Sequence, residues 1–216
     1  MRLCSPKVRR SEGRWHHRTR TIAPSHPCPL GPHKIHLVHP QLEDIVREFN
    51  SASARIRNLH GSLAPGRWNR RPAPETWSPG ECVAHLNLTA IAMIPLIQQG
   101  LDAARRSGRA AGVRYRRDLF GWLLWKSISA PGRFKSKTIP SFVPASDRSA
   151  EEVMAEFDRL QSEQIALTRA SEGLPIDRVK MSSPFNASVR YNIFSALSIL
   201  PRHQHRHLWQ AEQAGR

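Results

Sequence analysis

Pro201-Arg-His-Gln-His-Arg-His-Leu-Trp-Gln210 can be read as a strand or as a helix, and the two readings build different proteins. On a strand, alternate side chains share a face, so His203, His205 and His207 would line up together. On a helix, residues four apart are neighbours with Cβ atoms roughly 5–6 Å apart, so His203 and His207 pair while His205 points elsewhere. The preceding residues decide for the helix. Ile193, Phe194, Ala196, Leu197, Ile199 and Leu200 recur at helical steps, with Asn192 placed as N-cap. Pro201 falls inside this helix and is expected to kink it one turn before His203.

Upstream, the same period marks three more long helices. Leu42, Ile45, Val46, Phe49, Ala52, Ile56 and Leu59 describe an amphipathic helix ending near Gly61. A breaker-rich loop with Pro65, Pro72 and Pro74 follows. Ser78, Pro79 and Glu81 then supply an N-cap, a first-turn proline and the return partner of a capping box, opening a helix through Val83, Leu86, Ala90, Met93, Ile94 and Ile97 to about Ala104. Ser149 with Glu152 opens another, carried by Val153, Met154, Phe157, Leu160, Ile165 and Leu167 toward Gly173. Between them Leu119-Phe-Gly-Trp-Leu-Leu-Trp125 reads as a short helix or flap, and the stretch holding Pro175 and Pro184 reads as a loop. The expected fold is all-α, a bundle of four long helices occupying residues 37–216.

Two histidines do not make a metal site, and the natural third ligand is His85, carried inward by the second helix. The pair alone carries little weight, because 11 histidines in 216 residues supply an i,i+4 pair nearly by chance. His85 on an apolar face reads as a core histidine as readily as a ligand, and the C-terminal run reads also as a solvated helix end. His33, His36 and His39 straddle a proline-flanked boundary and are read as incidental.

The net charge of +16 raises nucleic acid as a partner, so its placement matters. Residues 1–34 carry a net +7 and residues 103–137 a net +9, which leaves both histidine segments in a neutral remainder. Nucleic acid is therefore not expected at the histidines. Residues 1–36 mix Arg, Pro, His and Ser without apolar period and are expected to be a disordered basic tail; a second reading is that the assigned start lies upstream of the true one, near Ile35. No stretch approaches the roughly 20 apolar residues of a membrane span, no secretory signal is visible, and Cys4, Cys28 and Cys82 lack zinc-ligand spacing. A cytoplasmic protein with no membrane partner is expected. The Trp122/Trp125 stretch offers a core-packing face or a homodimer contact.

Trp77-Ser-Pro-Gly-Glu81 followed by His85-Leu86, with His203-x-x-Arg206-His207-Leu208-x-Gln210 far downstream, resembles the two signature segments of the DinB-like superfamily of small bacterial metalloproteins. The resemblance covers about residues 38–213. It implies a four-helix bundle holding one divalent metal, zinc first and nickel or iron as alternatives, through His85, His203 and His207. It also implies a low-molecular-weight thiol as cofactor and a small-molecule substrate, since the superfamily includes thiol-dependent S-transferases and isomerases.

Three imidazoles leave a divalent ion with an open position, the arrangement of catalytic rather than structural sites. Thiol S-transfer is the leading expectation; a metal-dependent hydrolase and a non-catalytic metal-binding module are the alternatives. Glu81 and Gln210 are candidates for orienting the imidazoles from behind, with helix capping the preferred role for Glu81. Arg114, Arg116, Arg117 and Lys126 are candidates for holding the carboxylates of an anionic thiol.

Overall fold

A computed structural model describes residues 39–128 and 138–216. The expected basic tail and His33, His36, Cys4 and Cys28 lie outside these residues. The chain forms α1 (Pro40–Ser62), α2 (Pro79–Arg106), α3 (Leu119–Ser127), a 3-10 turn (Pro140–Phe142), α4 (Ala150–Arg169), β1 (Lys180–Ser183), β2 (Asn186–Asn192) and α5 (Ile193–Gly215). The described residues are mostly helical, with five α-helices and a small sheet. The two central long helices of each pairing share partners: α1 and α2 each pack against both α4 and α5.

Local chemistry fixes where the helices begin. Ser78 Oγ accepts from the Glu81 amide at 3.1 Å while the Glu81 carboxylate accepts from the Ser78 amide at 2.8 Å, so two otherwise orphaned donors satisfy each other. Ser149 and Glu152 repeat the device at α4, and Asn192 caps α5 through the Ser195 amide at 2.8 Å. At α1 the cap is His39, whose Nδ1 accepts from the Gln41 amide and whose Nε2 meets the Val113 carbonyl at 3.0 Å. His39 thus has a structural use.

The apolar positions expected on α1 and α2 are buried. Most of them fall into two groups. One gathers Leu42, Ile45 and Phe49 with Met93, Ile97 and Leu101 and the first turns of α5. The other gathers Ala52 and Ile56 with Val83, Leu86, Val153, Phe157 and Leu208. Between them along the helices lies a polar layer that apolar periodicity does not show. On α4 the buried positions after Leu160 are Gln161, Gln164 and Thr168, while Ile165 and Leu167 are only half-buried. The Gln161 and Gln204 amides bond each other reciprocally at 3.0 and 2.7 Å, and Gln161 also donates to the Phe49 carbonyl at 2.8 Å. Buried amides are tolerated there because they are paired.

Two expectations need correction. The stretch around Pro184 is not a plain loop: β1 and β2 form an antiparallel hairpin, Met181 opposite Tyr191, with an irregularity between Ser182 and Ser183. Only Met181 and Tyr191 in it are deeply apolar, too short a period-2 signal to stand out beside Pro184. Helix α5 runs through Pro201 from Ile193 to Gly215, and His203 and His207 share one face as the helical reading expects. Finally, α2 is long and apolar enough, by length and composition, to cross a bilayer. Most of it is buried inside the fold, where it contacts α4 and α5.

Helix α3 lies directly on α5. A Cβ added at Gly121 would overlap the Ser195 side chain, so only glycine permits this approach. Gly121→Ala is expected to lift α3 and cost about 1–3 kcal/mol, read as a lower urea midpoint; an unchanged midpoint contradicts the contact.

Candidate metal centre

Helix α2 carries His85 inward on its second turn, and α5 carries His203 and His207 one turn apart. The structure brings all three together: one ligand atom from each lies within 4.8 Å of the others. The Nε2 atoms of His203 and His207 are 3.1 Å apart. In a tetrahedral site with metal–nitrogen bonds of about 2.0–2.1 Å, ligand nitrogens stand about 3.3 Å apart. The pair is therefore already spaced like an edge of a coordination polyhedron, and the residues fit a divalent ion.

The tautomer of His85 is set from behind. Its Nδ1 lies 2.8 Å from the Phe142 carbonyl, and a carbonyl only accepts. The ring proton sits on Nδ1, which leaves the Nε2 lone pair facing the other two imidazoles. This partner comes from 57 residues away, on a loop where the sequence carries no signal. Glu81 does not take that role: its carboxylate bonds the Ser78 amide and the Arg71 guanidinium, at 3.0 and 2.8 Å to Arg71 Nε. Burial raises the Glu81 pKa, but the Arg71 and Ser78 bonds outweigh it and hold the carboxyl below its usual range. Gln210 bears on His207 and favours its protonated ring, but His207 Nδ1 has no hydrogen-bond partner among the described residues, so Gln210 is a neighbour rather than a fixed partner.

His205 points away, as the helical reading requires. Its Nε2 lies 3.1 Å from Glu48 and its Nδ1 3.4 Å from Arg55. Aromatic rings close the site instead. Trp77 lies 4.9 Å from His85 and 6.1 Å from His207, Phe142 lies 6.4 Å from His85, and Phe185, at the hairpin turn, stacks on Phe142 at 4.1 Å and reaches His203 at 6.3 Å. Phe142 and Phe185 escaped sequence reading because both sit in short irregular segments. Trp77 was visible as part of the signature, though not as a wall.

All three imidazoles are held neutral. Burial lowers His85 against the opposing pull of the Phe142 carbonyl. Burial, then the His85 ring and the Arg206 guanidinium, push His203 down to about 3; burial and the same neighbours with His203 push His207 well down. Neutral imidazole is the ligand form. The unfolded histidines titrate near 6.5, so below that pH the unfolded chain binds more protons than the fold. Stability is present in full above about 6.5 and falls with pH below it, by up to about 1.4 kcal/mol per pH unit for each histidine. Chelator-stripped protein is expected to melt earlier at pH 5 than at pH 7.5; equal melting contradicts the enclosed neutral triad.

The arginines expected to serve a thiol do not gather here. Arg114 and Arg116 are exposed, Lys126 stands over Trp122 at 5.0 Å, and Arg117 lies against Trp125. Among the described residues no Asp, Glu or Cys joins the three histidines. Cys82 is buried with its thiol pushed up to about 12 by burial and by Glu81, which makes it inert.

No curated protein and no solved structure matches the chain. A family model described as the DinB superfamily matches residues 48–211, a span holding α2, α4, most of α5 and all three histidines. With that match over most of its length, the chain belongs to the DinB superfamily.

Proposed function

We propose that this chain is a divalent-metal-dependent enzyme, its four long helices forming the family's bundle and its three histidines holding the ion, that transfers a low-molecular-weight thiol to a small apolar electrophile. One observation carries the reading: the Phe142 carbonyl fixes His85 with Nε2 turned toward a His203/His207 pair already at ligand spacing. A divalent ion there acidifies a thiol and so supplies a nucleophile near neutral pH. The protein's part is to keep three imidazoles neutral and oriented, and to enclose the site with Trp77, Phe142 and Phe185.

The absence of a carboxylate beside the histidines among the described residues favours thiol transfer over hydrolysis. A hydrolase needs a positioned acid or base to move protons at both water and leaving group; a thiol acidified on binding would release its one proton to solvent and attack an electrophilic carbon whose leaving group departs as an anion. Zinc is the first candidate ion, with nickel and iron also suited to imidazole. The working domain in this reading is residues 37–216, in the cytoplasm.

The test is to load the protein with zinc, nickel or iron(II) and to follow consumption of bacterial thiols against alkyl and aryl electrophiles. Thiol-dependent turnover that disappears in His85→Ala supports the reading. Full metal occupancy with no turnover makes the chain a metal-binding module, and thiol-independent ester cleavage makes it a hydrolase.

A further inference from the structure

A second cleft, of about 470 Å³, opens on the other side of α5. At about 100° of rotation per residue, Phe194, Ser198, Pro201, Arg202 and His205 all fall within about 60° of the direction opposite the His203/His207 pair. Gln41, Asp44, Ile45 and Glu48 of α1, Trp125 of α3 and Arg117 complete the lining.

Arg117 is the unusual member. Its guanidinium carbon lies 4.3 Å from the Trp125 ring and 5.4 Å from that of Phe194. Its Nε is enclosed without a hydrogen-bond partner. Arg202 approaches the same indole at 4.1 Å and uses its own Nε on the Ile128 carbonyl at 2.6 Å. Of the two carboxylates of α1 that line the cleft, Asp44 pairs with Arg47 and Glu48 lies 3.1 Å from His205 Nε2, and neither pairs with Arg117. The ring faces attract the positive charge but satisfy no N–H donor. Burial and the charge of Arg202 both work against the cation at Arg117. A half-buried cation with an idle Nε, lining a cleft of ligand size, has no acceptor among the described residues.

The geometry points to this cleft as a binding site, separate from the histidines, for a small organic oxyanion: a carboxylate or phosphate head held by Arg117 and Arg202, and a flat apolar body against Trp125 and Phe194. The guanidinium fork matches a carboxylate or a phosphate ester through paired N–H bonds. Asp44 and Glu48 at the wall disfavour ligands with several negative charges.

Full-length zinc-loaded protein is titrated with benzoate, phenyl phosphate and inorganic phosphate, followed by calorimetry and tryptophan fluorescence. One saturable site per chain is expected for at least one of the two organic anions, with inorganic phosphate at least tenfold weaker than the better one. Whichever of benzoate and phenyl phosphate binds more tightly identifies the head group. Arg117→Gln and Arg202→Gln should each weaken binding tenfold or more and leave zinc content unchanged, because the ligands occupy the opposite face of α5. Should either variant fail to fold, the wild-type melt decides. The tighter organic anion must raise Tm in a dose-dependent way that equal chloride does not. No saturable binding of either organic anion, inorganic phosphate binding as tightly as the better one, affinities untouched by both substitutions, or a Tm that chloride raises equally would overturn the assignment. These results are independent of thiol turnover, so this site and the proposed reaction can fail separately.

Discussion

His85→Ala and His207→Ala are each expected to lower zinc affinity by on the order of a thousandfold, beyond the 10–100-fold that loss of an outer partner costs. Each removes one of three nitrogens that converge within 4.8 Å, and no carboxylate or thiol among the described residues stands by to replace it. The control lies in the same helix. His205→Ala should keep full occupancy, because its ring contacts Glu48 and Arg55 on the opposite side. Metal content after dialysis and competition with a chromophoric chelator measure both outcomes. Equal loss in His205→Ala would mean that the histidine run binds as a flexible cluster rather than as a helical pair.

Arg71→Ala is expected to give the largest loss of stability away from the metal. The Glu81 carboxylate is 1% exposed, whereas the Arg71 side chain is 39% exposed. Removing the guanidinium leaves a buried charge with only the Ser78 cap to satisfy it. Breaking a buried pair costs about 3–5 kcal/mol, and the exposure of Arg71 brings the expected figure down to about 2–3 kcal/mol. The pH dependence has a definite sign. The Glu81 pKa is depressed in the fold, so its contribution is present above the unfolded value near 4.3 and is lost as pH falls through the folded value. In Arg71→Ala, burial acts with less opposition and the carboxyl rises, so part of the loss is recovered when Glu81 takes up a proton. Urea melts at pH 7 and pH 4.5 should therefore show a smaller difference between variant and wild type at the lower pH. A constant difference would show that Arg71 acts through packing alone. Arg71→Gln, which keeps a donor near the carboxylate, is expected to lie between the two.

The parts of this molecule legible in its sequence are those whose cause is local. Ser78 with Glu81, Ser149 with Glu152, and Asn192 mark helix starts because each cap is made within three residues. The His203/His207 pair follows from helical phase, which the apolar residues from Ile193 to Leu200 establish before the histidines begin. The same phase sends His205 to Glu48. Here the sequence was a better guide than its proline: Pro201 lacks an N–H to give the helix, yet packing of buried Leu197, Leu200 and Leu208 on either side keeps α5 in register.

What escaped is set by tertiary contact. Gln161, Gln164 and Gln204 look like surface residues, and only their mutual hydrogen bonds make them core. The hairpin escaped because its pairing, Met181 with Tyr191, joins residues on both sides of a proline. The Phe142 carbonyl is a backbone atom, and any residue type could supply it; only the chain path that brings the 3-10 turn over α2 makes it the partner of His85. Arg117 was legible as charge but not as place. The basic residues before it, Arg114 and Arg116, are exposed, and only the packing of α3 against α5 turns it inward onto Trp125.

The most direct test of the metal centre is X-ray absorption at the zinc edge of the reconstituted protein. One ion per chain, with three imidazole nitrogens at about 2.0–2.1 Å and one further light atom, is the expected result. A sulfur ligand from the protein, a shell with fewer than three imidazoles, or less than one ion per chain after reconstitution would contradict a site built from His85, His203 and His207.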